Sequence, residues 1–482
     1  MIVVQDRSAD AFQPVRIRGV WWLPGSNHKI HGELLFKVTS GGTLELDGEL
    51  APTFSQVPVI HGENSDQKRI TLFNSFICKS TLRGSFTGPA SSQTLDVYDM
   101  WIGNCWFDSK ADVSFQSYSF GIHNLENWAD LHCFSPGPSP NPKAITLTYT
   151  PPAPILLFEN DRLSVSLAAN YSGPSFSRGQ TESSIRHYPH VHIQSKMGGL
   201  PYYGEADSIA ECEWMIFVLI ALLMGQPTWQ FGFKGTVVPL SIKDGFSPEI
   251  SVRHYCQKDW ETPGPFQNPS SDSLLFPYEA IESYLPSIAK TFAELFHKNP
   301  SQIETLFRFQ CRKKLFEAST LPNLLFAFEK LEDNLFPQQN EPYVQEGKAH
   351  ATRIQKLLKP YCPKDDWEWV ESRLRWQGLA YRKRLNIAFE AMQPLFADLV
   401  EPLASDLIAY LSKTRNTYAH EAKATSNDWS RYVHATIWMG DFMTLMLIHA
   451  CGLPLETIQT IYFRQNGPGH GKTERLFRLF RS

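Results

Sequence analysis

The chain has 482 residues, 42% of them hydrophobic and 13% aromatic, with a formal net charge of -4. Such a composition excludes a disordered or fibrous chain and predicts two or three folded domains, each able to bury a core. The slightly acidic balance excludes a whole-molecule electrostatic grip on nucleic acid, so any RNA site has to be a local basic patch.

The N-terminus, Met1-Ile-Val-Val-Gln-Asp-Arg7, lacks the basic start and long apolar core of a secretory signal. The eight cysteines are scattered without a Cys-x-x-Cys pair, which argues against a zinc knuckle, a redox motif or a disulfide scaffold. The expectation is a reduced, cytoplasmic protein with no cofactor. In the first hairpin Leu34, Phe36 and Val38 alternate with other residues, Ser40-Gly41-Gly42 supplies turn chemistry, and Leu44 and Leu46 alternate on the return. Strand-like runs recur at 69–73, 94–98, 145–149 and 162–167, separated by Pro- and Gly-rich breaks such as 134–142. Many short strands with frequent turns predict an antiparallel β-sandwich-like domain. In His187-Tyr-Pro-His190-Val-His192, positions 190 and 192 share a face if the segment is a strand, which suits metal ligation. No acidic or Cys partner stands close in sequence, so no metal site is predicted there.

From about Ala206 the pattern changes to a helix over 207–224. Its apolar run, Trp214 to Met224, is about half the roughly 20 residues needed to span a bilayer, so the helix is read as buried and no membrane partner is expected. A mixed stretch ends in the loop-like segment 261–272, the main boundary. The predicted division is 1–275, β-rich over 1–183 and mixed α/β over 184–275, followed by an all-α region over 276–482 with a core at about 320–465. Helices are predicted at 278–297, 302–318, 324–335, 343–360, 366–399, 403–420, 429–451 and 455–464, punctuated by Pro322, Pro337, Pro363, Pro402 and Pro454. Trp429, Val433, Ile437, Met443 and Leu447 make the seventh of these apolar on more than one face, as suits the centre of a bundle.

The most informative motif is Arg415-Asn416-Thr417-Tyr418-Ala419-His420, which follows the apolar row Leu403, Leu407 and Leu411. Arg can grip a phosphate in a bidentate fork. His can move protons near neutral pH, and Asn can orient a reacting oxygen or the imidazole. Asn416 and His420 share a helix face, whereas Arg415 and His420 diverge by roughly 140°. A second copy of the chain across a two-fold axis would help to close the site. Arg and His near a helix C-terminus also complement the macrodipole, which is an ordinary structural role.

This half of the chain resembles the HEPN family, dimerising helical bundles that carry Arg-x4–6-His after an apolar helix. The whole chain is similar to ApeA-type anti-phage proteins, which join a β-rich N-terminal domain to a HEPN domain. The N-terminal resemblance rests on Gly19-Val-Trp-Trp-Leu-Pro24, His31-Gly-Glu-Leu34 and Gly42-Thr-Leu-Glu-Leu-Asp-Gly48. The C-terminal one rests on Phe326-Ala-Phe-Glu-Lys-Leu-Glu332 and the 415–420 motif. It implies metal-independent endoribonuclease activity in which a 2′-hydroxyl attacks the adjacent phosphate and leaves a cyclic phosphate. Arg415 and His420 would be catalytic, with Asn416 accessory. Glu329 and Glu332 sit where some HEPN proteins place an acidic residue. HEPN toxins silenced by nucleotide addition carry a Tyr two residues after the His, where this chain has Ala422.

Two basic stretches with interleaved aromatics are candidates for RNA contact: Arg373, Arg375, Arg382, Lys383 and Arg384, and at the tail Lys472, Arg475, Arg478 and Arg481. Both also read as solvated helix faces. Gly467-Pro-Gly-His-Gly-Lys-Thr473 mimics a phosphate-binding loop, but Asn466 occupies the place of the first required Gly. Two functions are therefore open. One is an endoribonuclease of abortive phage defence, homodimeric through its HEPN domain. It would cut host RNA, with transfer RNA among the substrates considered, under control of a β-rich domain that senses a phage-derived trigger. The other is a non-catalytic HEPN-like dimerisation scaffold whose β domain binds a protein or carbohydrate.

Overall fold

Alternation buries the first hairpin as its pattern predicts: Leu34, Phe36, Leu44 and Leu46 are all at most 2% exposed. They lie on β2 (Ile30–Lys37) and β3 (Gly41–Leu46), which follow β1 (Val15–Trp22). With β4 (Gln56–Asn64), β5 (Arg69–Ser85) and β6 (Gly88–Val97) they run in the order β5-β4-β1-β2-β3-β6, and β6 pairs back onto β5. The six strands thus form a closed antiparallel barrel filled by Trp21, Leu34, Ile60, Ile70, Leu72 and Leu95.

The computed structural model describes residues 12–85, 88–129, 134–137, 146–150, 152–172, 186–204, 208–237, 250–256, 274–311, 317–374, 379–396, 401–421 and 429–464. Two units are formed: residues 1–217 with 228–270, and residues 218–227 with 271–482.

In the first unit the sheet continues beyond the barrel. Its further strands are β7 (Asp99–Gly103), β8 (Ser114–Ile122), β11 (Ile155–Glu159), β12 (Leu163–Ser172), β13 (Arg186–Ser195), β15 (Gln230–Val237) and β16 (Ile250–Cys256). They extend from β5 in the order β7-β16-β15-β8-β13-β12-β11, every pair antiparallel. The short β14 (Leu200–Pro201) also pairs β8, while β9 (Phe134–Gly137) and β10 (Thr146–Tyr149) pair with each other in a separate two-stranded sheet among the described residues. Two helices interrupt the strands in sequence, α1 (Leu125–Ala129) and the buried α2 (Ile209–Met224), of which residues 209–217 belong to this unit and 218–224 to the second. The predicted β-rich domain is present, but it is one continuous sheet curled into a barrel at one end rather than two facing sheets. The cause lies in β5. Its 17 residues pair with β4 and β7 over their first part and with β6 from Phe76 onward, and the register with β6 shifts between Ile77 and Lys79. Such a bulge bends a strand and lets it serve two neighbours. The stretch 134–142, read as a break, begins with strand β9.

The second unit is helical, in chain order α3 (Tyr278–Ile281), α4 (Leu285–Lys298), α5 (Pro300–Cys311), α6 (Thr320–Leu335), α7 (Pro337–Leu358), α8 (Trp367–Leu374), α9 (Tyr381–Ala391), α10 (Glu401–Glu421), α11 (Trp429–Ala450) and α12 (Leu455–Tyr462). Helix α11 is central: Trp438 to Ile448 are all buried, on every face of the helix. The helix expected over 366–399 is instead α8 and α9. Ala380 is extended (φ -60°, ψ 140°), and past Ala391 the backbone tightens into a 3-10 turn containing Pro394, which offers no N–H to continue a helix. Among the described residues no helix is long and apolar enough to cross a membrane.

Candidate active site

The site is built on α10 and α6. In α10, Leu407, Leu411 and Thr414 are buried at helical spacing, which fixes the rotation of the helix and leaves Arg415 at the edge of the buried stripe. In α6 the core residues Leu321, Leu324, Leu325, Phe328 and Leu331 are buried, and Phe326 and Glu329, three apart, are half-buried beside them.

Glu329 meets Arg415. The guanidinium donates from Nη2 (2.7 Å) and Nε (3.2 Å) to the same carboxylate oxygen, Oε2. Its Nη1 lies 3.4 Å from Oδ1 of the exposed Asn416, and its centre lies 5.3 Å from the Phe326 ring and 5.6 Å from the Tyr381 ring. Aromatic faces attract a cation at such distances. The Arg415 side chain keeps 24% of its exposure and Glu329 27%, so the pair sits at the surface with one edge toward solvent. Beneath it, burial and then the Glu329 charge push the Tyr381 phenol well above its usual range, with Arg415 acting against them. That phenol stays neutral, and its hydroxyl has no hydrogen-bond partner among the described residues. His420 lies on the last turn of α10; its side chain is outside the described residues.

Glu332 does not join this site. It is fully buried and accepts from Arg384 Nη1 at 3.0 Å, and Arg384 also donates to Asp333 and to the carbonyls of Glu329 (3.3 Å) and Leu379 (3.3 Å). Burial raises the Glu332 carboxyl, against the pull of Asn340 and Arg384. The expectation of Arg384 as an RNA contact is therefore corrected: a buried guanidinium with two carboxylates is a structural tie between α9 and α6. The rest of that basic stretch is divided between two helices. Arg373 on α8 is exposed and lies 5.6 Å from the Trp369 ring, Arg382 on α9 is exposed, and Lys383 sits 3.6 Å from the Tyr343 ring. Arg375, the basic tail and the phosphate-loop mimic lie outside the described residues. So does the side chain of His187. His190 and His192 are half-buried on β13 with rings 6.3 Å apart, and no group able to hold a metal is found among the described residues.

Sequence reasoning did not single out Phe326 and Tyr381 as neighbours of Arg415. The spacing of Phe326 and Glu329 on one helix was available as a signal. Tyr381 arrives from a separate helix, and nothing local announces that.

Comparison with protein families gives two matches: the ApeA N-terminal domain 1 over residues 16–292 and the Apea-like HEPN domain over residues 323–457. No curated protein and no solved structure matches the chain significantly. The first match covers the barrel and its sheet from the second residue of β1, the second covers Glu329 of α6 and all of α10, and the chain belongs to the ApeA family, with an ApeA N-terminal domain followed by a HEPN domain.

Proposed function

We propose that this protein is an endoribonuclease of abortive anti-phage defence, acting through its HEPN domain. The observation that carries the reading is Arg415. It is a permanent cation at the rim of the bundle, oriented by Glu329 and two aromatic rings, beside the exposed Asn416 and five residues before His420 on one helix. In the proposed reaction His420 takes the proton from a ribose 2′-hydroxyl and the oxygen attacks the adjacent phosphorus. The P–O bond to the 5′-oxygen of the next nucleotide breaks, and that oxygen leaves as a hydroxyl by taking the proton back from the His420 imidazolium. One product ends in a 2′,3′-cyclic phosphate. Arg415 stabilises the extra charge on the phosphorane oxygens, the role in which a fixed cation is worth most. Asn416 orients the phosphate or the imidazole. Host RNA, transfer RNA among it, is the substrate class this reading favours, and the ApeA N-terminal domain is the part that would answer a phage-derived trigger.

One observation favours the rival reading of a non-catalytic scaffold: Arg415 already sits in an ion pair within its own chain. A phosphate would have to share or replace Glu329. The test is RNA integrity in cells expressing wild-type protein, Arg415→Ala or His420→Ala, with and without phage, and in extracts with and without chelator. Discrete fragments that survive chelation and vanish in both variants are expected. Intact RNA in every arm, despite equal folded protein and productive infection, would hand the case to the scaffold.

A further inference from the structure

A cavity of about 340 Å³ lies in the first unit, lined by β1 and β2 of the barrel and by β15 and β16 of the extended sheet. Its volume is at the small-ligand end of binding pockets. Two features of its wall point to one class of ligand.

The first is charge. Lys234 and Arg253 are register partners on adjacent antiparallel strands, both exposed, and neither meets a carboxylate among the described residues. Directly opposite residues hold their Cβ atoms about 5 Å apart, where like charges repel. Sheets ordinarily place opposite charges in such a pair, so two unneutralised cations at a cavity mouth fit an anion that bridges them.

The second is shape. Phe36, Phe231 and Tyr255 line the same cavity, and Tyr255, two residues beyond Arg253, shares its face of β16. The Phe36 and Tyr255 rings meet edge to face at 6.3 Å. Between Phe231 and Lys234 the pairing of β15 with β8 slips by one residue at Gly232, whose φ of +65° belongs to the left-handed region. An added Cβ there would meet nothing within 4 Å, so glycine is needed for the bulge and not for want of room. The bulge re-aims the strand where the cavity opens.

We propose that this cavity binds a nucleoside phosphate. Its anionic group lies on Lys234 and Arg253, and its planar base lies against Phe231 and Tyr255. The inference stands apart from the RNA-cleavage reading, since binding is measured without RNA.

The test is calorimetric titration of the full-length protein with ADP, inorganic pyrophosphate and adenosine in separate arms, followed by GDP, CDP and UDP. One nucleoside diphosphate should bind at least about tenfold more tightly than pyrophosphate or any nucleoside. The double variant Lys234→Glu/Arg253→Glu should lose that binding while keeping the wild-type circular dichroism and melting curve. Should the double variant misfold, Lys234→Gln and Arg253→Gln are read singly by the same criterion. The proposal is overturned by no binding of any of the four diphosphates at millimolar concentration. Pyrophosphate binding as tightly as the best diphosphate, or folded charge variants that bind like wild type, would overturn it equally.

Discussion

Glu329 and Glu332, three apart on α6, meet different arginines and so carry different burdens. Arg415 and Glu329 are each about a quarter exposed, and water screening holds such a pair to about 1 kcal/mol or less. Arg415→Ala should therefore leave urea stability within about 1 kcal/mol of wild type while lowering RNA cleavage by about 100-fold or more. A large stability loss would recast Arg415 as a structural residue. Glu332 and Arg384 are both buried, and removing the cation strands a carboxylate in the core. Arg384→Ala should cost about 3–5 kcal/mol. The sign of its pH dependence follows from Glu332, whose folded carboxyl is raised from its ordinary 4.5 by burial, with Asn340 and Arg384 lowering it. A raised group binds its proton more tightly in the folded state, so its contribution to stability is full below the ordinary value and is lost as pH rises through the folded one. Without Arg384 that folded value rises further. The variant's deficit should then be smaller near pH ~5 than near pH ~7.5, by paired denaturation curves; a deficit that does not change with pH would mean Glu332 is not the stranded group. Tyr381→Phe deletes a hydroxyl with no partner among the described residues, so it should be neutral to slightly stabilising. Any fall in cleavage by that variant would then report on the site and not on the fold.

At the scale of elements, the tightest of the described glycines in the second unit is Gly440 in α11. A Cβ there would stand 2.0 Å from the Phe309 ring of α5. Alanine would gain about 1 kcal/mol of helix propensity, but the ring has to move within a buried crossing, and overpacking costs about 1–3 kcal/mol. Gly440→Ala should lower the urea midpoint; a raised midpoint would show that Phe309 has room to swing. The helices of this unit were legible in the sequence because an amphipathic stripe is local, and α6, α10, α11 and α12 begin or end within a few residues of their expected positions. The single helix expected over 366–399 was not, because the turn at Ala380 is stabilised from outside: Arg384 reaches back to the Leu379 carbonyl while tied to Glu332. A helix periodicity carries no trace of that partner. The strand runs were equally legible, whereas closure into a barrel rested on the bulge in β5, whose sequence gives no special signal at Cys78.

At the scale of the whole molecule, Arg415 and His420 diverge by roughly 140° on one helix, which favours a site completed by a second chain. Light scattering should give twice the chain mass, and cleavage per chain should fall on dilution through the dimer's dissociation range. Full activity from a monomer would exclude a shared site. The sequence by itself determined the order of a β-rich part and a helical part, the helical stripes, and the motif at 415–420, because each depends on neighbours a few residues apart. Only the tertiary structure decided which arginine is buried, which glutamate meets Arg415, and that Lys234 and Arg253 face each other beside a cavity. Those outcomes depend on pairings between segments far apart in the chain, 86 residues for Glu329 and Arg415, and long-range partners are chosen by packing and charge that no local pattern encodes.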